Sequence, residues 1–162
     1  MEKDIVEPNL NLKPKDREAL CQILQGLLAS SYALYLKTQN FHWNVTGPAF
    51  QSYHLMFQAQ YEELAESIDE MAERIRALGF FPEGSFKSFT KTSLIKDAEE
   101  VLAPLEMIKC LLQDHETLIY YLREKLPFAE KVEDGATADF INSRLAVHEK
   151  TAWMLRSTLT EI

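Results

Sequence analysis

The stretch Phe41–Gly79, FHWNVTGPAFQSYHLMFQAQYEELAESIDEMAERIRALG, couples a short breaker-rich turn to one long amphipathic segment. Asn44, Gly47 and Pro48 interrupt any helix that reaches them. Beyond the turn, Phe57, Tyr61, Leu64, Ile68, Met71, Ile75 and Leu78 recur at alternating steps of four and three. That spacing lays one apolar stripe along a helix from about Phe50 to Leu78, and Gly79 suits its C-terminal cap. A second track carries metal-ligating side chains: His54, Gln58, Asp69 and Glu73. At about 100° per residue, Gln58 lies about 40°, Asp69 about 60° and Glu73 about 100° around the axis from His54. The four project from about one side of the helix. His42, just before the turn, brings a second imidazole to the start of the segment.

The flanking sequence reads as more helix. Residues 1–13 form a tail without periodicity, and Pro14 suits the first turn of a helix that runs to about His42 with only Gly26 as an internal breaker. Ile23, Leu27, Leu34 and Phe41 mark one of its tracks; Leu24, Leu28, Tyr35 and His42 mark the neighbouring one. The segment from Phe80 to Ala103 is the least regular, opened by Pro82 and Gly84. Phe86 and Phe89 fit two readings: a crossover loop with aromatic anchors, or a short helix used at a subunit contact. Antiparallel neighbours need only a few linking residues, so a connection this long predicts that the helices on either side run parallel.

A third long helix is expected from Pro104 to about Ala129, with Ile108, Leu111, His115, Leu118, Leu122 and Leu126 as its seam. Asp134 and Gly135 mark a turn, Thr137 reads as the next N-cap, and Asp139 falls in the first turn that follows. Ile141, Leu145, His148, Ala152 and Leu155 form the last seam. No alternating β pattern, repeat or low-complexity tract occurs. The fold class is all-α: four long helices and a short one, in a single domain over residues 14–162.

Composition narrows the function. With 46% hydrophobic and 26% charged residues, the chain has the balance of a soluble globular domain. No uninterrupted apolar run approaches the roughly 18 residues that suggest a membrane span, and MEKDIVEPNLNLKPKD has no signal-peptide core, so a cytoplasmic location without membrane association is expected. Cys21 and Cys110 form no CxxC and read as free thiols. The net charge of −8 argues against a general nucleic-acid surface and suits a protein that concentrates cations. The ends offer no basic arm: three lysines face four acidic residues over 1–16, and Thr158–Ile162 contains no Lys or Arg.

The histidines decide which metal chemistry remains open. An iron pair inside one helix bundle is usually held by Glu-x-x-His, since a separation of three places both ligands on one face. Gln39, Gln51, Leu112 and Leu145 stand three residues before His42, His54, His115 and His148, so that signature is absent. His115 and His148 occupy apolar seams and read first as hydrogen-bonded core residues; nearby Asp114 and Glu149 leave a buried metal pair as the alternative. His54 and Asp69 are 15 residues apart, about 22 Å along a helix at about 1.5 Å per residue. One copy of the helix cannot close a site with both, whereas two copies antiparallel across a two-fold axis would. On spacing alone, the competing reading is a solvated polar face.

HWNVTGPAF, followed by YHLMF and IDEMAERI, resembles the signature of the Dps-type mini-ferritins. The likeness runs from about Pro14 to Leu159 and includes ALYLKTQNFHWNV, QDHE, TADF and HEKTAWMLR. It implies a ferritin-like four-helix bundle with a short extra helix in the crossover, assembled as a homo-dodecameric shell. It also implies a ferroxidase that oxidises Fe2+, preferably with hydrogen peroxide, and stores ferric oxide, protecting against oxidative stress. Iron (Fe2+/Fe3+) is the implied metal. His42 matches the histidine contributed by one subunit, Asp69 and Glu73 the carboxylates of its two-fold mate, and His54 the second histidine.

One position departs from the family pattern. Gln58 stands where Asp or Glu is usual, and a neutral amide holds a hard cation less well than a carboxylate. The second iron position is therefore expected to be the weaker, with Glu62 and Glu66 each placed to compensate in part. Trp43 reads either as a neighbour of the site or as a core aromatic. Glu130, Asp134 and Asp139 resemble the acidic lining of the family's three-fold pores, the alternative being a solvated helix end. DNA binding through the tails is not expected. Two rival functions stand beside the ferroxidase: a shell with an impaired centre that acts as a cation binder or DNA-associated structural protein, and a helical interaction protein without metal.

Overall fold

A computed structural model describes residues 7–160. Five helices follow in order: α1 Pro14–Asn44, α2 Phe50–Ala77, α3 Phe86–Thr92, α4 Pro104–Lys131 and α5 Gly135–Leu159. Among the described residues there is no strand. The four long helices match the expected elements to within a few residues, and the crossover contains a true helix. Residues 1–6 of the expected tail, with Glu161 and Ile162, lie outside the described residues; Glu7–Lys13 is non-helical.

The apolar stripes become the core. Leu24, Leu27, Leu34 and Phe41 of α1, Phe57, Leu64, Met71 and Ile75 of α2, Ile108, Leu111, Leu118 and Leu122 of α4, and Ile141, Leu145 and Leu155 of α5 are buried in one cluster. Averaged over 18 residues, α1 is long and apolar enough to cross a membrane. Its apolar side is instead taken up by α2, α3 and α4. Gly26 is the residue that α4 requires on this helix. A Cβ there would sit 2.7 Å from the Tyr121 hydroxyl, which donates to the Ile23 carbonyl at 2.9 Å.

Short turns fold α1 against α2 and α4 against α5, giving two antiparallel hairpins. Side-chain bridges set how the hairpins dock. Arg74 reaches Asp134 while Glu63, eleven residues earlier, reaches Arg144, so α2 and α5 run antiparallel. The helices α2 and α4 are therefore parallel, as the long crossover predicts. On the other side, Lys37 pairs with buried Asp114 at 2.6 Å.

The ends of α2 and α5 meet at a built junction. Gly79, at φ +97°, closes α2 with its N–H on the Arg76 carbonyl at 2.9 Å, while the Phe80 N–H reaches Ile75 at 3.2 Å. The Pro8 ring packs 2.9 Å from the point a Gly79 Cβ would occupy. The N-cap of α5 is Asp134, not Thr137: the Asp134 carboxylate accepts the Thr137 N–H at 3.2 Å, placing Thr137 inside the first turn. Asp139 consequently lies beyond that turn.

Candidate metal centre

The turn Val45–Ala49 brings His42, in the last turn of α1, beside His54, in the second turn of α2. Their rings stack with centroids 3.7 Å apart and planes 18° from parallel. Each Nδ1 lies 2.8 Å from the backbone carbonyl of the other histidine. A carbonyl only accepts, so each neutral ring donates through Nδ1–H, and each Nε2 keeps its lone pair. The sequence thus builds two imidazoles already in the tautomer a metal ion needs, each held by the other's main chain. Tyr61 packs edge-on to His42 at 5.2 Å and Phe50 lies 4.9 Å from His54, bracing the stack.

Farther along α2, Asp69 and Glu73 are exposed. Among the described residues, no three His, Cys, Asp or Glu side chains gather to hold a metal ion. The paired imidazoles and the exposed carboxylates therefore lie apart on the subunit, as the 15-residue separation of His54 and Asp69 requires. Gln58 is half-buried one turn from His54 and donates through Nε2 to Glu62 Oε1 at 2.7 Å. Its amide oxygen is left as the donor on that turn, and Glu62 is the partner that fixes it.

Trp43 is 60% exposed next to His42, so the core-aromatic reading does not hold. In the crossover, Phe89 is buried and stacks on Tyr32 at 5.0 Å, whereas Phe86 is 71% exposed.

The acidic trio divides. Glu130 and Asp139 are exposed, but Asp134 is buried. Arg74 Nη2 holds both its oxygens, at 2.6 and 2.7 Å, and Thr137 donates to it as well. Burial alone would raise its carboxyl pKa; the bonds from Thr137 and Arg74 and the guanidinium charge outweigh burial and leave it below the ordinary carboxylate range. Asp134 caps α5 and pairs with Arg74.

The other two histidines pair inside the bundle. His115 of α4 and His148 of α5 are buried with their Nδ1 atoms 2.9 Å apart. The carboxylates that kept a metal pair open point elsewhere: Asp114 to Lys37 and Glu149 to Arg123. The hydrogen-bonded core reading is the one observed. Burial first, then the Arg144 charge, lowers the His115 pKa to about 3. Burial, with His115 and Arg144, holds His148 well below its usual value.

Comparison with known proteins identifies the fold. The ferritin-like domain family matches residues 21–162. The chain is 40% identical over 151 residues to an uncharacterised low temperature-induced protein of Nostoc, covering 92% of this chain and 84% of the relative. It is 34% identical over 140 residues to DNA protection during starvation protein 2 of Bacillus anthracis, covering 86% and 96% respectively. The Dps protein of Vibrio cholerae, described as a ferritin-like diiron-carboxylate protein, superposes with a TM-score of 0.91 at 29% identity over 96% of this chain and 98% of its own. The Dps of Bacillus brevis gives 0.89 at 32% identity over 92% and 100%. The fold and these likenesses place the chain in the ferritin-like domain family, as a Dps-type mini-ferritin.

Proposed function

We propose that this protein is a ferroxidase and iron store, with its centres completed across two-fold axes of a dodecameric shell. The observation that carries the reading is the His42–His54 stack, whose two Nδ1–H groups are spent on backbone carbonyls while both Nε2 lone pairs stay free. Across the axis, Asp69 and Glu73 of the partner subunit supply the carboxylates. His42 with that pair forms the stronger position; His54 with Gln58 forms the weaker. Fe2+ is the substrate. Two Fe2+ ions give one electron each to hydrogen peroxide, the O–O bond breaks, and two protons complete two waters. The protein's part is to hold the ions close together and offset their charge.

Exposed Glu130 and Asp139, repeated around a three-fold axis, would draw cations inward; Asp134 contributes through the Arg74 junction. Removing Fe2+ and peroxide together protects the cytoplasm from oxidative damage. With a net charge of −8, the shell is expected to leave DNA unshifted in about 150 mM salt, where attraction between exposed charges is screened; a clear mobility shift there would contradict it. The second reading, a shell with a disabled centre that only binds cations, rests on Gln58 alone.

The deciding experiment loads Fe2+ anaerobically, adds peroxide, and follows ferric absorbance and the iron that co-elutes with a large particle. Fast oxidation with many ions retained per subunit supports the ferroxidase. A large particle that oxidises iron no faster than free Fe2+ selects the cation binder, and a small particle without iron refutes both.

A further inference from the structure

A second set of metal-binding atoms gathers in the other half of the bundle, apart from the two-fold centre. A groove of about 550 Å³ runs between α2 and α5. Met56, Gln60 and Glu63 of α2 and Lys150 and Met154 of α5 contribute to its walls, and His115 of α4 reaches it from the core. The His115 Nε2 atom is buried without a hydrogen-bond partner. We propose that this groove binds a soft monovalent cation of the Cu+ class, held by His115 Nε2 and the thioethers of Met56 and Met154 within a single subunit.

Three observations favour that chemistry. The two Nδ1 atoms lie 2.9 Å apart, so one ring donates and the other accepts; with His115 as the donor, its lone pair lies on Nε2. An imidazole that ligates a metal characteristically donates its other ring N–H to such an acceptor. Burial keeps His115 neutral, down to a pKa of about 3, so a proton does not compete for that lone pair near neutral pH.

The remaining donors then select the ion. A hard divalent cation needs several anionic or oxygen ligands; here the one carboxylate, Glu63, is held by Arg144, and Gln60, whose Oε1 is buried without a partner, offers only a neutral amide. Thioether and imidazole donors suit Cu+. A single positive charge also costs less to bury than two, and Glu63 already neutralises the neighbouring Arg144. Methionine has three rotatable bonds, so half-buried Met56 and exposed Met154 can close over an ion much smaller than the groove.

The test uses the whole assembled protein. Crystals soaked with Ag+, a redox-inert stand-in for Cu+, should give an anomalous peak bonded to His115 Nε2 and at least one of the two methionine sulfurs. In solution, Cu+ affinity is measured against a chromophoric chelator with Cys21 and Cys110 replaced by Ala, so that thiolates do not compete. Loss of an outer partner of a ligand typically weakens metal binding at least about tenfold; Met56→Leu and Met154→Leu, which remove ligands at nearly constant volume, should weaken it by no less than about tenfold. Gln60→Leu should leave it unchanged. Silver found only elsewhere overturns the proposal, as does a water bound to His115 in its place. So does affinity that survives both methionine variants or falls with Gln60→Leu alone.

Discussion

Each hairpin of the bundle carries one histidine pair, and the two pairs differ in where Nδ1 is spent. On the α1–α2 hairpin, His42 and His54 each direct Nδ1 to a main-chain carbonyl, so both rings adopt the same tautomer and both present Nε2 as a free donor. On the α4–α5 hairpin, His115 and His148 direct Nδ1 at each other. One of those atoms must be N–H and the other a lone pair, so the neutral rings adopt opposite tautomers. The first pair stands at a helix terminus beside exposed Trp43 and Phe50; the second is enclosed by the seams of the core. Two side chains of one type thus become a pair with two free lone pairs or a core connector according to what faces Nδ1. The backbone carbonyl preserves both Nε2 lone pairs, whereas mutual pairing leaves one.

The largest effect that separates the pairs should appear in oxidation. His42→Ala removes a proposed ligand from the stronger position, and peroxide-dependent Fe2+ oxidation should fall by at least about 100-fold, at the upper end of what an outer partner's loss costs. The particle should remain large and its thermal unfolding nearly unchanged. His148→Ala should give the opposite profile. It leaves a cavity and strips His115 of its Nδ1 hydrogen bond, costing about 2–4 kcal/mol of stability in denaturant unfolding, with the oxidation rate retained. If His148→Ala abolished oxidation in a folded shell, or His42→Ala did not slow it, the division of roles would be wrong.

Acid should expose the same difference more gently. The folded pKa values of His115 and His148 lie below the ordinary 6.5, so the fold favours their neutral forms. The unfolded chain takes up protons first as pH falls. Stability from the pair is therefore complete above about pH 6.5 and declines toward pH 3, by at most about 1.4 kcal/mol per pH unit for each imidazole. Arg144 adds a positive charge beside both rings, while Glu63 neutralises part of it. Denaturant midpoints measured between pH 7 and 5 in chelator should fall in the native protein. A His115→Gln/His148→Gln variant should lose most of that dependence; an equally steep fall would assign it to other groups.

What the sequence disclosed follows from the range of each interaction. Periodicity placed the stripes of Phe57–Leu78 and Ile141–Leu155 because a helix repeats every few residues, and the length of the crossover implied parallel α2 and α4. The cap of α5 was misplaced by one turn. Asp134 and Thr137 are both good caps locally, and the choice is reinforced by Arg74, which arrives from α2 and holds Asp134 and Thr137 together. The same contact removed Asp134 from the exposed acidic set. His42 and His54 flank the turn in the sequence, but their reciprocal carbonyl bonds are not legible there, since main-chain acceptors carry no sequence signal. Met56 and Met154 carry no joint signal in the sequence, because only the packing of α2 and α5 brings them to a groove with His115.

Gln58→Glu should have the smallest effect and bears on the weaker side of the His42–His54 pair. In the native protein the Gln58 amide donates to Glu62 Oε1 at 2.7 Å, which leaves its oxygen as a neutral donor near His54. A glutamate adds the charge that a hard cation favours, but it loses that bond and places two carboxylates one helical turn apart. Like charges at this spacing cost about 0.2–0.5 kcal/mol on a helix, well below the 1.4 kcal/mol that corresponds to a tenfold change in affinity. The gain in metal binding should therefore dominate. Anaerobic titration should show tighter uptake of the second Fe2+ per centre, by several-fold, with the first unchanged. If stoichiometry and affinity both stay as they were, Gln58 does not limit the second position, and the support for a disabled centre disappears with it.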